Sequence, residues 1–424
     1  MSEERTTLSK TASYEAEPSE VGRVLLLYSG GLDTSVMLKW IQDEYDAEVV
    51  ALTVNLGQPD EDYDVVRGKA LDLGAIECHV VDAREEFARE YVLPAIKANA
   101  RYGGGYPLFT ALGRPLIAKL AVEKAREDGC DTIAHGCTGK GNDQVRIEAT
   151  VAALAPELKI IAPVRGWQMG RQEEIEYARE HGIPVKGGTE APPYSIDDNL
   201  WGRSSEGGPI ENLSEPPRAD VFDLVTPPED APDEPELVEI EFERGEPVAI
   251  GGERLGLVEL LERAGEVGAR HGVGIVDHIE DRIVGLKVRD IYEVPAAELI
   301  LTAHQELEKL VGTIHQNLFK AQLDRQWGFL VYAGLWHEPL RGDLDAFMDR
   351  VNEQVTGRIV LKLYKGSAKP VARSSPNALY DPELAGFGES GGLFSQQASP
   401  GFIELWSLQS RMAYAIRNRV EGET

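Results

Sequence analysis

The sequence predicts a mixed α/β protein in which a parallel-sheet domain comes first, an α+β domain follows, and an amphipathic helix ends the chain. Three observations carry this. From Val21 onward short apolar runs alternate with segments of helical period, between about 209 and 235 the chain turns rich in proline and acid, and 400–419 places apolar side chains on one helical face. At 424 residues the chain can hold two or three domains, each with its own core. The expected divisions are a flexible acidic extension over 1–20, a first domain over 21–185, a second over 186–399 and a terminal helix over 400–424.

Val24-Leu25-Leu26-Leu27 is a continuous apolar run that ends at Tyr28-Ser29-Gly30-Gly31, as expected of a strand buried on both faces. Asp33 and Thr34 suit the first turn of a helix whose Val36, Met37, Trp40 and Ile41 fall at helical spacing. Further strands are expected at 48–54, 76–81, 131–134 and 159–162, with helices near 61–73, 84–99, 113–128, 142–155 and 171–181. Strands joined through helices make crossover connections, hence a parallel sheet. Pro216-Pro217, Pro227-Pro228, Pro232 and Pro235 read as an extended connector rather than a packed element. Beyond it the pattern predicts strands at 238–243 and 248–250, a helix near 255–270 and a strand around 283–288. A long helix near 296–319 and a strand pair at 328–336 and 357–364 follow. The last segment carries Ile403, Trp406, Leu408, Met412, Ala415 and Ile416 as one stripe, with a frayed, polar stretch expected at the opposite end of the chain.

Asp and Glu total 72 against 43 Lys and Arg, a formal charge of −29 that repels nucleic acid and anionic membrane, and no local basic patch offsets it. Arginine outnumbers lysine 28 to 15. Such an acidic excess keeps a protein hydrated at high salt, so a salt-adapted, halophilic host is expected, with ordinary acidic composition as the alternative. Cys78, Cys130 and Cys137 are odd in number and lack CxxC spacing, which implies neither a disulfide framework nor a zinc site. No apolar run approaches the roughly 20 residues of a membrane span, and the first residues lack a signal peptide's apolar stretch. A cytoplasmic protein with no nucleic-acid and no membrane partner is the expectation.

The first chemical signal is Ser29-Gly30-Gly31-Leu32-Asp33-Thr34-Ser35, set between a buried strand and a helix start. Two glycines let the backbone approach a ligand, while Ser29, Thr34, Ser35 and free helix N–H groups can donate to phosphate oxygens. A Walker loop needs GxxxxGK[ST], and no lysine follows here. Gly-Gly alone would read as a turn capping a helix, but the seven-residue string in this strand–turn–helix setting favours phosphate. It resembles the pyrophosphate loop of the N-type ATP pyrophosphatases, which split ATP to AMP and pyrophosphate while adenylating a substrate oxygen.

A second segment, Ala134-His135-Gly136-Cys137-Thr138-Gly139-Lys140-Gly141-Asn142-Asp143-Gln144-Val145-Arg146, interleaves three glycines with polar arms just before a helix. A solvated loop explains the glycines but not so dense a polar set. With Tyr102, Tyr106-Pro107-Leu108, Ala162-Pro163-x-Arg165, the stretch 194–204 (YSIDDNLWGRS), 272–277 (GVGIVD), Glu280-Asp281-Arg282 and Tyr292-Glu293, the chain resembles the argininosuccinate synthases in order from about residue 22 onward.

The resemblance implies condensation of L-citrulline with L-aspartate, driven by ATP with Mg²⁺, through a citrullyl-adenylate, giving argininosuccinate, AMP and pyrophosphate in arginine synthesis. It implies catalytic roles for Asp143, Arg146 and Asp33, and an ATP site at Tyr28, Ser29, Gly30, Gly31, Leu32, Asp33, Thr34 and Ser35, with Val54 and Gly136 beside the adenosine. By the same carry-over Tyr102, Asn142, Arg146, Ser195, Ser204, Glu280 and Tyr292 line the citrulline pocket, and Thr138, Asn142 and Asp143 bind aspartate, Asp143 holding its amine. Arg146 suits a carboxylate through its forked donors, and Glu280 an ammonium. Taken singly, Tyr102, Ser195, Ser204 and Tyr292 read as turn or packing residues and Glu280 as a solvated acid; only the family pattern raises them.

Ala111 stands where some members place a serine that helps bind citrulline, Val54 where many have alanine, and Val164 and Gly166 where larger residues are common. His135 and Cys137, without a further Cys/His cluster, read as strand-end packing rather than metal ligands. Two other readings stay open: another adenylating pyrophosphatase, and a non-catalytic ATP-binding regulator. The resemblance also implies a homotetramer whose C-terminal helices reach across subunits.

Overall fold

The structure, a computed structural model, describes residues 12–59, 61–167, 171–184, 194–385 and 395–421. Strands β1 (Arg23–Leu27), β2 (Glu48–Asn55), β3 (Glu77–Asp82), β4 (Thr132–Ala134) and β5 (Lys159–Ile161) form an all-parallel sheet of order β3-β2-β1-β4-β5. Around it lie α1 (Leu32–Tyr45), α2 (Tyr63–Asp72), α3 (Arg84–Glu86), α4 (Leu93–Lys97), α5 (Phe109–Glu127), α6 (Asp143–Leu154), α7 (Pro163–Gly166) and α8 (Arg171–Glu180); six π-helical residues, Phe87–Val92, join α3 to α4. The apolar run of β1 is explained by its two covered faces. Val24 and Leu26 pack with Met37, Leu38 and Ile41 of α1, and Leu25 joins the core that holds Leu112 and Leu116 of α5. Strand order reverses at β1, whose neighbours β2 and β4 lie on opposite sides, so the loops after β1 and β4 diverge above the strand ends and leave a crevice there.

The second region adds β6 (Ser195–Asn199), β7 (Gly202–Glu206), β8 (Glu236–Glu243), β9 (Glu246–Ile250), β10 (Glu253–Arg254), β11 (Ile275–Asp281), β12 (Lys287–Glu293), β13 (Gly357–Tyr364) and β14 (Ser367–Ser374). They make two antiparallel sheets, β11-β12-β7-β6 and β10-β9-β8-β13-β14. Helices α9 (Leu257–Arg270), α10 (Pro295–Val311), α11 (Ile314–Tyr332) and α12 (Pro339–Asn352) complete it. One compact unit reaches Asn377; a second begins at Ala378 and contains α13 (Pro382–Ala385), α14 (Ser399–Trp406) and α15 (Leu408–Glu421). In that second unit Phe402, Ile403, Leu405, Trp406, Met412 and Ile416 are exposed.

Several expectations need correction. Residues 12–20 are not frayed: Ala16 N–H donates to Ile160 O and Ile160 N–H to Tyr14 O, so this stretch satisfies the open edge of β5. Residues 1–11 and the expected boundary at 185 lie outside the described residues. The stretch 209–235 is packed as well as extended, because Ile210, Val221, Val225 and Ala231 are buried between its prolines. Buried Glu293 accepts backbone N–H bonds from Asp223, Leu224 and Val225 there. Of the strand expected at 283–288, residues 283–286 are the turn between β11 and β12, closed by Gly285 at φ 90°, and Lys287 and Val288 open β12. The long helix breaks at Gly312, where Thr313 caps a new helix and Gln316 bonds back to it. The strand expected at 328–336 is largely the end of that helix, because a short apolar run alone does not separate a buried strand from a buried helix. The terminal helix is two, α14 and α15, separated by Ser407.

Candidate functional site

Tyr28-Ser29-Gly30-Gly31 turns from β1 into α1. Gly30 holds φ 76°, where an L side chain is strained, and a Cβ would meet Val66 at 3.0 Å. Gly31 is the N-cap and no side chain caps α1, so the first-turn N–H groups are left for an anion. Ser29 Oγ and Thr34 Oγ1 lie 3.2 Å apart at the loop surface, and Lys69 Nζ donates to Gly30 O at 2.8 Å. Leu32 and Asp33 open the helix, Asp33 exposed beside the loop. Tyr28 and Ser35 serve differently from the expectation. Both are buried; the Ser35 hydroxyl donates to Gly31 O at 2.6 Å, and Tyr28 Oη sits 3.1 Å from Ser35 Oγ, so the pair builds the loop from beneath. The residues present fit a pyrophosphate through backbone N–H groups, two hydroxyls and one lysine.

The loop after β4 packs on α1, since a Cβ at Gly136 would lie 2.5 Å from Met37 Cε. Val54, at the end of β2, is buried, and its carbonyl accepts from Gln58 Nε2 at 3.2 Å. His135 is buried, its Nε2 3.0 Å from Glu148 Oε1 and its Nδ1 accepting from Cys137 N–H. Thr138 is exposed at the loop tip and accepts from Gly141 N–H. Burial pushes the Cys137 thiol up to about 12, which removes thiolate chemistry from this loop.

At the start of α6, Asp143 Oδ1 accepts from Arg146 Nη1 at 2.8 Å and Oδ2 from Arg114 Nε at 2.9 Å. Arg114 also binds Asp197 of β6. Burial would raise the Asp143 carboxyl, but Arg114 and Arg146 outweigh it and hold it down at about 2. Burial lifts Asp197, with Asp143's charge adding to the rise. Arg146 is 4% exposed, donates Nε to Tyr332 O, and has its Nη2 buried without a partner.

Asn142 joins this group to the antiparallel sheet. Its Nδ2 donates to Tyr332 Oη at 2.8 Å and lies 3.4 Å from Glu280 Oε1, and its Oδ1 accepts from Ile283 N–H. Glu280, 4% exposed, accepts from Tyr332 at 2.7 Å and from Tyr292 at 2.5 Å. Tyr102 donates to Asp281 O and stacks on Tyr332, while Tyr106 stacks on Tyr292. Ser204 stands between Asp197 and Tyr292 across the strands, and Ser195 is exposed two residues from Asp197. Thr110 Oγ1 is engaged by Tyr106 Oη, and Ala111 is fully buried with its N–H directed to the same oxygen.

Asn142, Asp143, Arg146, Glu280, Tyr292, Ser204 and Tyr102 therefore form one connected polar region, with the Ser29–Ser35 loop above the same parallel sheet. Sequence reading missed Arg114, Asp197 and Tyr332 as members, and with them Asp290, whose Oδ2 accepts from Tyr292 Oη at 3.3 Å. A lone arginine in the apolar stretch ALGRPLIAKL was the available signal for Arg114; Tyr332 was hidden by the expected strand. Among the described residues no three His, Cys, Asp or Glu side chains cluster as metal ligands, and no helix is long and apolar enough to cross a membrane.

Residues 23–184 match the family model described as the arginosuccinate synthase N-terminal HUP domain, and 194–413 match the arginosuccinate synthase C-terminal domain. The chain is 56% identical to the argininosuccinate synthase of Rubrobacter xylanophilus, covering 92% of this chain and 94% of that one. It is 50% identical to those of Symbiobacterium thermophilum, over 93% and 98% of the two chains, and Pyrococcus furiosus, over 94% and 96%. A glycine turn from β1 into α1 above a parallel sheet, Asn142 in the loop before α6, bonded to Tyr332 and facing the buried Glu280, and these near full-length identities place the chain in the argininosuccinate synthase family.

Proposed function

We propose that the chain condenses L-citrulline with L-aspartate at the expense of ATP. The observation that carries the placement of citrulline is the buried Arg146, whose Nη2 is available for a carboxylate beside Glu280, which is suited to an ammonium. With its α-carboxylate and α-ammonium end held, citrulline's ureido oxygen at the other end attacks the α-phosphorus of ATP; the new P–O bond forms as the bond to pyrophosphate breaks. Charge developing on the pyrophosphate is met by the α1 N–H groups, Ser29, Thr34 and Lys69. Mg²⁺ bound with the nucleotide would supply charge neutralisation there, beside Ser29, Asp33 and Thr34. The aspartate amine, positioned by Asp143 with Thr138 and Asn142, then attacks the ureido carbon; a C–N bond forms, AMP leaves, and the amine proton passes to solvent. Asp33, at the loop's first helical turn, borders the phosphates. Val54 and Gly136 flank the adenosine, and Ser195, Ser204, Tyr102 and Tyr292 wall the citrulline pocket.

The exposed apolar side chains of α14 and α15 support assembly into a homotetramer, and the −29 charge supports a cytoplasm of high salt. Release of pyrophosphate is measured with citrulline alone, aspartate alone and both. Argininosuccinate and sustained pyrophosphate release, one for each argininosuccinate, are expected only with both, and citrulline alone should release no more than one pyrophosphate per active site. Equal release with aspartate alone would favour a different adenylating enzyme, and ATP binding without turnover a regulator.

A further inference from the structure

The sheet face beneath the citrulline pocket carries more acid than the chain answers. In the antiparallel register Asp290 of β12 stands opposite His278 of β11 and Glu206 of β7. Residues two apart on a strand share a face, so Glu280 and Tyr292 lie on that side too. Glu280 and Asp290 are each 4% exposed. Glu280 is fully engaged, by Tyr292, Tyr332 and Asn142. Asp290 is not: its Oδ1 is buried and accepts no hydrogen bond, with Arg282 Nη2 at 3.6 Å, and its Oδ2 receives one 3.3 Å bond from Tyr292. Arg282 is itself bound to Glu206, and Arg146, which faces Glu280 from α6, is paired with Asp143. A second buried carboxylate so poorly partnered is stable only when a proton or a cation neutralises it.

We propose that Asp290 is the proton-exchanging member of the ammonium site, holding a proton before substrate binds and releasing it as the citrulline ammonium settles against Glu280. This rests on the placement of citrulline proposed above. The O–H bond of the Asp290 carboxyl breaks, the proton leaves to solvent, and the carboxylate accepts an N–H bond of the ammonium; no electron transfer is involved. The groups that face Asp290 are Glu280 and His278 from β11, Glu206 from β7, Tyr292 from its own strand and Arg282 from the turn, with Asn142 and Tyr332 closing over Glu280 from α6 and α11. In keeping with this, burial first and then the charges of Glu280 and Glu206 lift the Asp290 carboxyl to about 7, against Arg282.

Citrulline is titrated calorimetrically into the whole enzyme in pairs of buffers that differ in ionisation heat. Nearly one proton per citrulline should be released at pH 6 and almost none at pH 8, with affinity rising about tenfold between them. Asp290→Asn, neutral at every pH, should release none and keep the weak pH 6 affinity throughout. If Glu280→Gln binds as tightly as the unchanged enzyme, the placement of citrulline is wrong and the proposal falls with it. If Glu280→Gln abolishes binding while Asp290→Asn still releases the proton, the pocket stands and Asp290 is not the exchanging group. The ¹³C shift of the Asp290 carboxyl in the unchanged protein decides the matter should Asp290→Asn fail to fold: a carboxylate already ionised at pH 6 before citrulline is added overturns the proposal.

Discussion

Asp143 shows how one residue serves two ends. As the first residue of α6 it bonds Arg114 through one oxygen and Arg146 through the other, so it is part of the ion-pair framework as well as the proposed anchor of the aspartate amine. Asp143→Ala is expected to slow argininosuccinate formation by about 2–4 kcal/mol of transition-state stabilisation, checked by initial rates at limiting aspartate. Unchanged turnover there would remove Asp143 from the aspartate site. The variant should also melt earlier, because two guanidinium groups lose their shared acid. The pH sign follows from the depressed carboxyl. Its stabilising contribution is complete above the unfolded value near 4 and is lost as pH falls towards about 2, so acid melting curves of Asp143→Ala should lack that part of the decline.

At the scale of elements, α10 and α11 are tied by a buried cation. Lys320, 2% exposed, lies 2.7 Å from Glu308 of α10 and 2.8 Å from Asp324 of its own helix. Asn99 donates to Glu308, and its carbonyl meets His304, whose other nitrogen meets Asn352 of α12. Burial, then Glu308's charge, lifts Asp324 to about 7, so the stability it contributes is full below about 4 and lost as pH rises through 7. Lys320→Met leaves two buried acids without their cation and should cost about 3–5 kcal/mol at pH 8. At pH 5, where Asp324 takes up a proton, the loss should shrink. Thermal melts at the two pH values check this, and an equal loss at both would show that only packing was removed.

Over the whole molecule the −29 charge acts through self-repulsion, which is felt most at low ionic strength, where the Debye length reaches about 30 Å at 0.01 M. Activity and melting temperature should rise with KCl into the molar range, and flat or falling curves would separate the composition from any salt adaptation. Assembly is the second molecular property. Apolar side chains on α14 and α15 stand exposed, and helices of this length are marginal in water without a partner surface. A chain cut before Pro400 should scatter light as a monomer or dimer in molar salt, and the full chain should scatter as a tetramer; a truncated tetramer would discharge these helices from assembly.

The parallel sheet, the loop after β1 and the loop before α6 were legible in the sequence, because each rests on local chemistry: apolar runs bounded by glycine, helix-start residues, and donors packed into a few positions. The hairpin of β6 and β7 and the strand β14 were not, since their polar residues carry no alternation, and WGFLVYAGLW at 327–336 reads equally as strand or helix until Trp327, Leu330 and Tyr332 are seen buried on one helix. By itself the sequence determined the fold class and the residue types of the site. Only tertiary structure decided that Tyr28 and Ser35 build the loop from below, that Arg114 and Tyr332 belong to the site, and that Asp290 stands with Glu280 on one sheet face. Those are properties of strand register and burial, which bring together residues as far as 230 positions apart in the site, as the stacked Tyr102 and Tyr332 are, and which no local pattern encodes.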